Sequence, residues 1–337
     1  MIPKTIETHH WSDELKRAVG DPLALCQQLN INPHQLPGGI EGLKKGQQLF
    51  KTLVPHPFIK LMQPGNPLDP LLLQVLPLGA EGQETAGFVT DPLQEHSCNP
   101  LPGLIHKYAT RVLLTTSGAC AVNCRYCFRR HFPYAQNSLS TGGSQAILDY
   151  LQKHPKINEV IFSGGDPLAT PDTRLAARVK QLENLPQLKR LRIHTRLPVV
   201  IPSRINQEFL NWIKATRLTV ILVLHINHPQ EMGDELIHAL SLLTKAGVLL
   251  LNQSVLLAGI NDQASILAEL SEALFAQKVM PYYLHALDPV EGAAHFAVGD
   301  KQARQIYSEL LTELPGFLVP KLVREYPNQP AKTPLGW

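Results

Sequence analysis

The chain has little of what marks several large protein classes. No apolar run among its 337 residues approaches the roughly 20 needed to cross a bilayer. Met1 to Trp11 hold Glu7, His9 and His10 where a secretion signal would have an apolar stretch. These absences lead to the expectation of a soluble, cytoplasmic protein with no membrane partner. Neither sign of charge is in excess, 31 Lys and Arg standing against 28 Asp and Glu for a net +3. With no basic run and aromatics at 6%, the chain has neither a phosphate track nor a stacking platform, which argues against direct nucleic-acid binding. Repeats and low-complexity tracts are absent. Cysteine is scarce too. The five, at 26, 98, 120, 124 and 127, are an odd number with three packed into eight residues, a poor way to staple a secreted fold. Reduced thiols gathered around a metal or an iron–sulfur cluster are the better reading.

What is present is a chain rich enough in apolar residues, 44%, to fill a large core. Residues 1–100 are broken by proline, as from Pro55 to Pro77, and show short helical patterns at Ser12 to Val19 and Glu41 to Leu53. Such helices cannot bury an apolar face alone, so they predict an extension wrapped on something larger. From Arg111 an alternation begins. Runs of Val, Ile and Leu at 111–117, 159–163, 190–194, 218–224, 247–251 and 280–284 are each followed by a polar loop and a helical pattern, at 145–153, 172–184, 205–214, 234–245, 263–277 and 300–313. Six βα units with strands apolar on both faces predict an α/β fold with a covered parallel sheet, either doubly wound or a barrel, over 101–315, with a short C-terminal segment at 316–337.

Polar residues follow every strand: Cys120 to Cys127, Ser163-Gly164-Gly165-Asp166, His194 to Arg196, His225 to His228, Asn252 to Ser254, then His285 and Asp288. In a barrel these loops meet at the carboxyl rim, where active sites sit. Cys120, Cys124 and Cys127 are spaced four and three apart. Three thiolates can hold three irons of a [4Fe–4S] cluster and leave the fourth open for chemistry, whereas an electron-transfer cluster normally takes four cysteines. Two other readings share this spacing: one face of a core helix, and a zinc site completed by His131.

With Tyr126 before the third cysteine and SGGDPL (Ser163 to Leu168) one βα unit later, the sequence resembles the radical S-adenosylmethionine enzymes. That resemblance implies a partial (β/α)6 barrel with an N-terminal helical extension, and S-adenosylmethionine (SAM) held by Ser163, Gly164, Gly165 and Asp166. Closer still, DPLQEHSCNPLPGLIHKYATRVLL, CFRRHF, NQSVLLAGIND, MPYYLHALDPVEGAAHF and the KTP near the end resemble lysine 2,3-aminomutases over residues 65 to 334. The short ends are most similar to the proteobacterial branch that supplies β-lysine for modifying elongation factor P.

Membership in that family would imply a third cofactor, pyridoxal 5'-phosphate (PLP), with Lys332 as its Schiff-base lysine and Arg111 and Tyr108 as further holders. Lys321 is the other lysine in the closing tail. The family's glycine run before the lysine is replaced here by Pro327-Asn328-Gln329-Pro330-Ala331. The resemblance also implies that Arg129 pairs with the substrate carboxylate, while Asp288 and Glu325, the latter standing where the family has Asp, hold a side-chain ammonium. Two converging carboxylates raise each other's pKa unless a cation sits between them, which favours lysine as substrate. Longer members carry a zinc site; Gln263 occupies the neighbourhood of one of its cysteines and the chain stops at Trp337, so no structural zinc is expected. An external electron donor is implied by the cluster. The rival expectation from a different class is a radical enzyme acting on RNA or on a protein directly.

Overall fold

The apolar runs read from the sequence all become strands. The structure, a computed structural model, describes residues 10–137 and 143–336. Six predicted strands appear as β2 (Arg111–Ser117), β3 (Glu159–Gly164), β4 (Arg190–Thr195), β5 (Thr219–Leu224), β6 (Leu249–Leu256) and β7 (Val279–Ala286), joined by β1 (Leu104–Tyr108), β8 (Lys321–Arg324) and β9 (Thr333–Pro334). Strand order in the sheet follows the sequence from β1 to β9. β2 through β8 run parallel, while β1 and β9 pair antiparallel at the two ends. Because β1 and β9 do not pair with each other, the sheet is an open, partial barrel. β1, β8 and β9 escaped the sequence reading because none has an apolar run of its own length; β8 has four residues and β9 two.

The crossover helices fall close to their predicted positions: α6 (Gly143–Lys153), α7 (Asp172–Glu183), α9 (Gln207–Ala215), α10 (Asp234–Lys245), α11 (Ala264–Ala276) and α12 (Asp300–Glu313), with a single turn, α8 (Leu197–Val200), after β4. Before the sheet come α1 (Trp11–Lys16), α2 (Pro22–Gln28), α3 (Gly39–Leu49), α4 (His56–Ile59) and α5 (Pro70–Leu73). Proline at the first turn of α2 and α5 follows an aspartate cap, Asp21 and Asp69, a start signal that also explains why these helices are short and separate. They have no core of their own. Leu25, Leu43, Phe58 and Leu72 belong to the same buried cluster as Val112, Phe162 and Leu222 of the sheet. Among the described residues no helix is long and apolar enough to cross a membrane.

One expectation needs correction. β3 is buried along its whole length and β5 nearly so, as predicted, but β4 and β6 alternate, with every second residue only half-buried. Those alternate residues, Arg192 and His194 in β4 and Gln253 and Val255 in β6, line a cavity inside the sheet. The interior of this open barrel is therefore not packed solid, and its polar strand residues have a space to face.

Candidate active site

The cavity has a volume of about 550 Å³ and lies inside the open barrel. Every residue assigned to a site from the sequence lines it: the three motif cysteines, Ser163 to Asp166, Tyr108, Arg111, Arg129, Asp288, Glu325 and Lys332. Cys26 and Cys98 do not, nor do Lys321 and His131, both exposed. Residues from 108 to 332 thus converge on one space although more than two hundred positions separate them in the chain.

The cysteine loop follows β2 and is held from outside the barrel. The Asn123 amide donates to Leu53 O (3.1 Å) and the Arg125 amide to Gln74 O (2.9 Å), tying the loop to the N-terminal extension. The buried Arg125 pairs with Glu81, and its remaining nitrogens donate to Leu73 O (2.8 Å) and to His295 Nε2 (3.0 Å). The extension is in this sense the outer wall of the motif. Burial, then the neighbouring thiols, push Cys120 well above the ordinary thiol range, and burial pushes Cys127 up to about 11. Thiols so reluctant to ionise alone suit a positively charged inorganic core. Among the described residues no three His, Cys, Asp or Glu side chains converge as ligands of a single metal ion. Three thiols spread on one cavity wall fit a cluster, where each binds a different iron.

The Gly-Gly segment is explained by close approach. Gly164 has φ +128°, and a Cβ there would collide with Ser117 O; at Gly165 a Cβ would lie 2.6 Å from Ala119 O. The end of β3 is thereby pressed against the start of the cysteine loop, which only glycine permits. Asp166 also has a task within the chain. Its carboxylate accepts from Leu168 N (2.9 Å), Thr195 Oγ1 (2.7 Å), Arg196 N (2.8 Å) and Leu197 N (2.9 Å). These four bonds tie it to neighbouring chain, so it shapes the loop after β4.

From the cysteine loop to the C-terminal tail a chain of alternating charges crosses the cavity. Arg129 grips Glu95 with two nitrogens (2.7 and 2.8 Å) and donates with the third to Ser163 Oγ (3.0 Å). Lys107 lies 3.1 Å from both Glu95 and Glu325, Tyr108 donates to Glu325 (3.2 Å), and Lys332 pairs with the other oxygen of Glu325. Burial disfavours ionisation of Glu95 and Glu325, but the cations beside them outweigh it and hold each down at about 2. Sequence reasoning missed Glu95 and Lys107, which carry no motif of their own; the only signal was their position inside segments resembling the family. Arg129 and Glu325, which the resemblance gives to the substrate carboxylate and ammonium, both have partners within the chain in this structure.

Asp288 contrasts with this. It is half-buried, but its Oδ1 is shut off from solvent with no hydrogen-bond partner, and burial, followed by the Glu325 charge, pushes it up to about 7. The two carboxylates are unequal, one neutralised by lysines and one waiting for a cation. His194 Nε2 is likewise buried without a partner. Burial drives His194 and His225 well below the usual imidazole range and His285 down to about 3, so all three are neutral at physiological pH. Arg111 stacks on the Tyr108 ring at 3.9 Å and has no carboxylate partner among the described residues, which fits a holder of phosphate. Lys332 stands over the Tyr283 ring at 5.9 Å. Unmatched polar atoms beside an aromatic floor, with a lysine and an unpaired arginine, fit the charged pyridine cofactor the resemblance implies.

An open parallel barrel with three cysteines after its first parallel strand defines a class, and residues 114–265 match the family model described as the radical SAM superfamily. The chain is 50% identical over 331 residues, 98% of its length and 97% of theirs, to an L-lysine 2,3-aminomutase of Haemophilus influenzae. It is 51% identical to that of Escherichia coli (96% and 94% covered) and 46% identical to that of Buchnera aphidicola (98% and 98%). It belongs to the L-lysine 2,3-aminomutase family, whose members are isomerases that combine a [4Fe–4S] cluster, SAM and PLP.

Proposed function

We propose that the protein converts L-lysine to β-lysine, moving the amino group from C2 to C3. The observation that supports this most is near-50% identity across almost the whole of both chains, joined to a single cavity that gathers every family position. The bound cofactors supply the hydrogen-atom abstraction and the conjugation through which an amino group migrates. Cys120, Cys124 and Cys127 would hold the cluster; Ser163, Gly164, Gly165 and Asp166 would hold SAM, with the Asp166 carboxylate also fixing the loop after β4. Lys332 bonds the second cofactor, whose phosphate Arg111 takes beside Tyr108.

The charged residues of the cavity orient lysine. Arg129 offers its remaining donor edge to the carboxylate, with Glu95 fixing the plane of the guanidinium. Asp288 would accept the side-chain ammonium at its unpartnered oxygen, and Glu325 would add a second acceptor where Lys332 is engaged by the cofactor. The buried walls exclude water from a reaction in which stray protons or hydrogen donors would divert a radical.

We place the protein in the cytoplasm, where clustered thiols stay reduced, with a reducing electron donor as partner and elongation factor P as the destination of its product. In this reading residues 1–100 brace the cysteine loop, 101–315 form the cavity and 316–337 carry the cofactor lysine. Anaerobic incubation with lysine, SAM, PLP and a reductant, followed by chromatography and mass analysis, is the test. β-Lysine is the expected product. Deoxyadenosine formed only when RNA or a protein is added, with lysine unchanged, overturns the assignment.

A further inference from the structure

Beside the cysteine loop, on the wall of the same cavity, lies a second polar cluster that the reading above does not use. Arg196, at the end of β4, is buried and its backbone is fixed by Asp166. Its Nη1 donates to Cys124 Sγ (2.9 Å) and to the Tyr126 hydroxyl (2.6 Å); its Nη2 donates to Gln74 Oε1 (2.7 Å) and Glu231 Oε2 (2.9 Å). Two nitrogens with two protons each meet four acceptors, so the guanidinium has one orientation. Glu231 is held in turn by Asn227 N (2.9 Å) and His228 N (3.1 Å). A buried ion pair with Glu231 would need only one edge of the arginine. The other edge is aimed at a cysteine sulfur.

We propose that Arg196 is a positioning residue for the iron–sulfur cluster, tuning it through a charge-assisted hydrogen bond to the Cys124 thiolate. The proposal rests on the cluster assignment. One-electron reduction makes the cluster more negative, and a donor on a ligand sulfur together with a nearby positive charge stabilises the reduced state more than the oxidised one. The low polarity of the surroundings strengthens both effects. Arg196 therefore raises the reduction potential and lets a weaker donor load the electron that SAM cleavage consumes. Glu231 offsets part of the charge but leaves the hydrogen bond in place.

Two variants and one measurement on the parent test this. Arg196→Lys keeps a charge but loses the fork, and Arg196→Gln combined with Glu231→Gln removes the buried charges together. Iron and sulfide content are measured first, then the midpoint potential by redox titration followed with electron paramagnetic resonance. Expected are clusters at parental iron content whose reduction equilibrium has shifted about tenfold toward the oxidised form, about 59 mV for one electron. In the reduced parent with 15N in arginine side chains, a pulsed experiment should show a nitrogen coupling that Arg196→Lys loses. An unchanged potential in either variant at full iron content overturns the proposal. If neither variant assembles a cluster, absence of the coupling in the parent overturns it and presence supports it. A parent protein that binds no iron would instead sink the cluster assignment itself.

Discussion

The two walls of the cavity differ in how far their polar atoms are satisfied. On the cysteine side Asp166 accepts four hydrogen bonds, Arg196 donates four, and Arg125 is spent on Glu81, Leu73 and His295. On the side of β7, β8 and the tail, Asp288 keeps a buried oxygen without a partner, and Glu325 is held by lysines on flexible stems. A densely bonded wall is costly to rearrange even with Arg196 Nε and His295 Nδ1 left without partners, which suits loops that present a rigid cluster. An unsatisfied one stores unfavourable desolvation that a ligand of the right charge relieves. In the proposed reading, the first wall holds a rigid group and the charged residues of the second exchange partners when ligands bind.

The most severe way to break the first wall is to remove one of its thiols. Alanine at Cys120, Cys124 or Cys127 should abolish deoxyadenosine formation and lower iron content while the circular dichroism stays near the parent's. Retention of iron and of SAM cleavage in all three variants would remove the cluster from this wall. Lys332→Ala should be equally fatal to turnover but by another route. It should erase the absorbance of covalently held PLP and leave the iron–sulfur absorbance intact, whereas trapping of Lys321 by borohydride would move the cofactor lysine.

A smaller effect sharpens the second wall. Asp288→Asn removes the acceptor for an ammonium at a solvent-shielded oxygen, and stranding one charge of such a pair costs roughly 3 to 5 kcal/mol, about a hundredfold or more in lysine use. The cluster and PLP absorbances should be spared. The same group dictates a pH dependence. With Asp288 raised to about 7, protonation as pH falls below that value removes the charge that binds the ammonium, so lysine affinity should weaken on the acid side. Binding that is flat from pH 8 to 6 would place the ammonium elsewhere.

The mildest prediction concerns stability. Glu95 is lowered from 4.5 to about 2, so the stability it contributes is present above 4.5 and is lost as pH falls toward 2. Glu95→Gln should lower the midpoint of thermal unfolding at neutral pH, and the deficit relative to the parent should shrink in acid. A constant deficit across that range would mean that packing rather than charge sets the contribution of Glu95.

Much of this was legible in the chain before folding was considered. The six main strands and their helices follow from runs of branched residues and helical spacing, and Cys120, Cys124 and Cys127 from spacing alone. β8 and β9 were not legible, because strands of four and two residues carry too little pattern and exist by pairing with β7 and with each other. Asp166 shows the same limit at a site: its place after Gly-Gly marked it as important, but only the fold directs its carboxylate to the loop after β4. Glu95, Lys107 and Arg196 stand in no motif, and their roles come from partners 12 to 218 positions away.

The sequence by itself determined the periodicity of the elements, the reduced thiols and the chemical types gathered at the rim, since these depend on residue identity and local spacing. Only the tertiary structure decided which of two carboxylates is neutralised. Glu325 and Asp288 are interchangeable as letters, but one meets Lys107 and Lys332 while the other keeps a buried oxygen unpaired. Charge in a cavity is governed by what lies within a few ångströms, and those neighbours are brought together by the order and curl of the open sheet, not by their order in the chain.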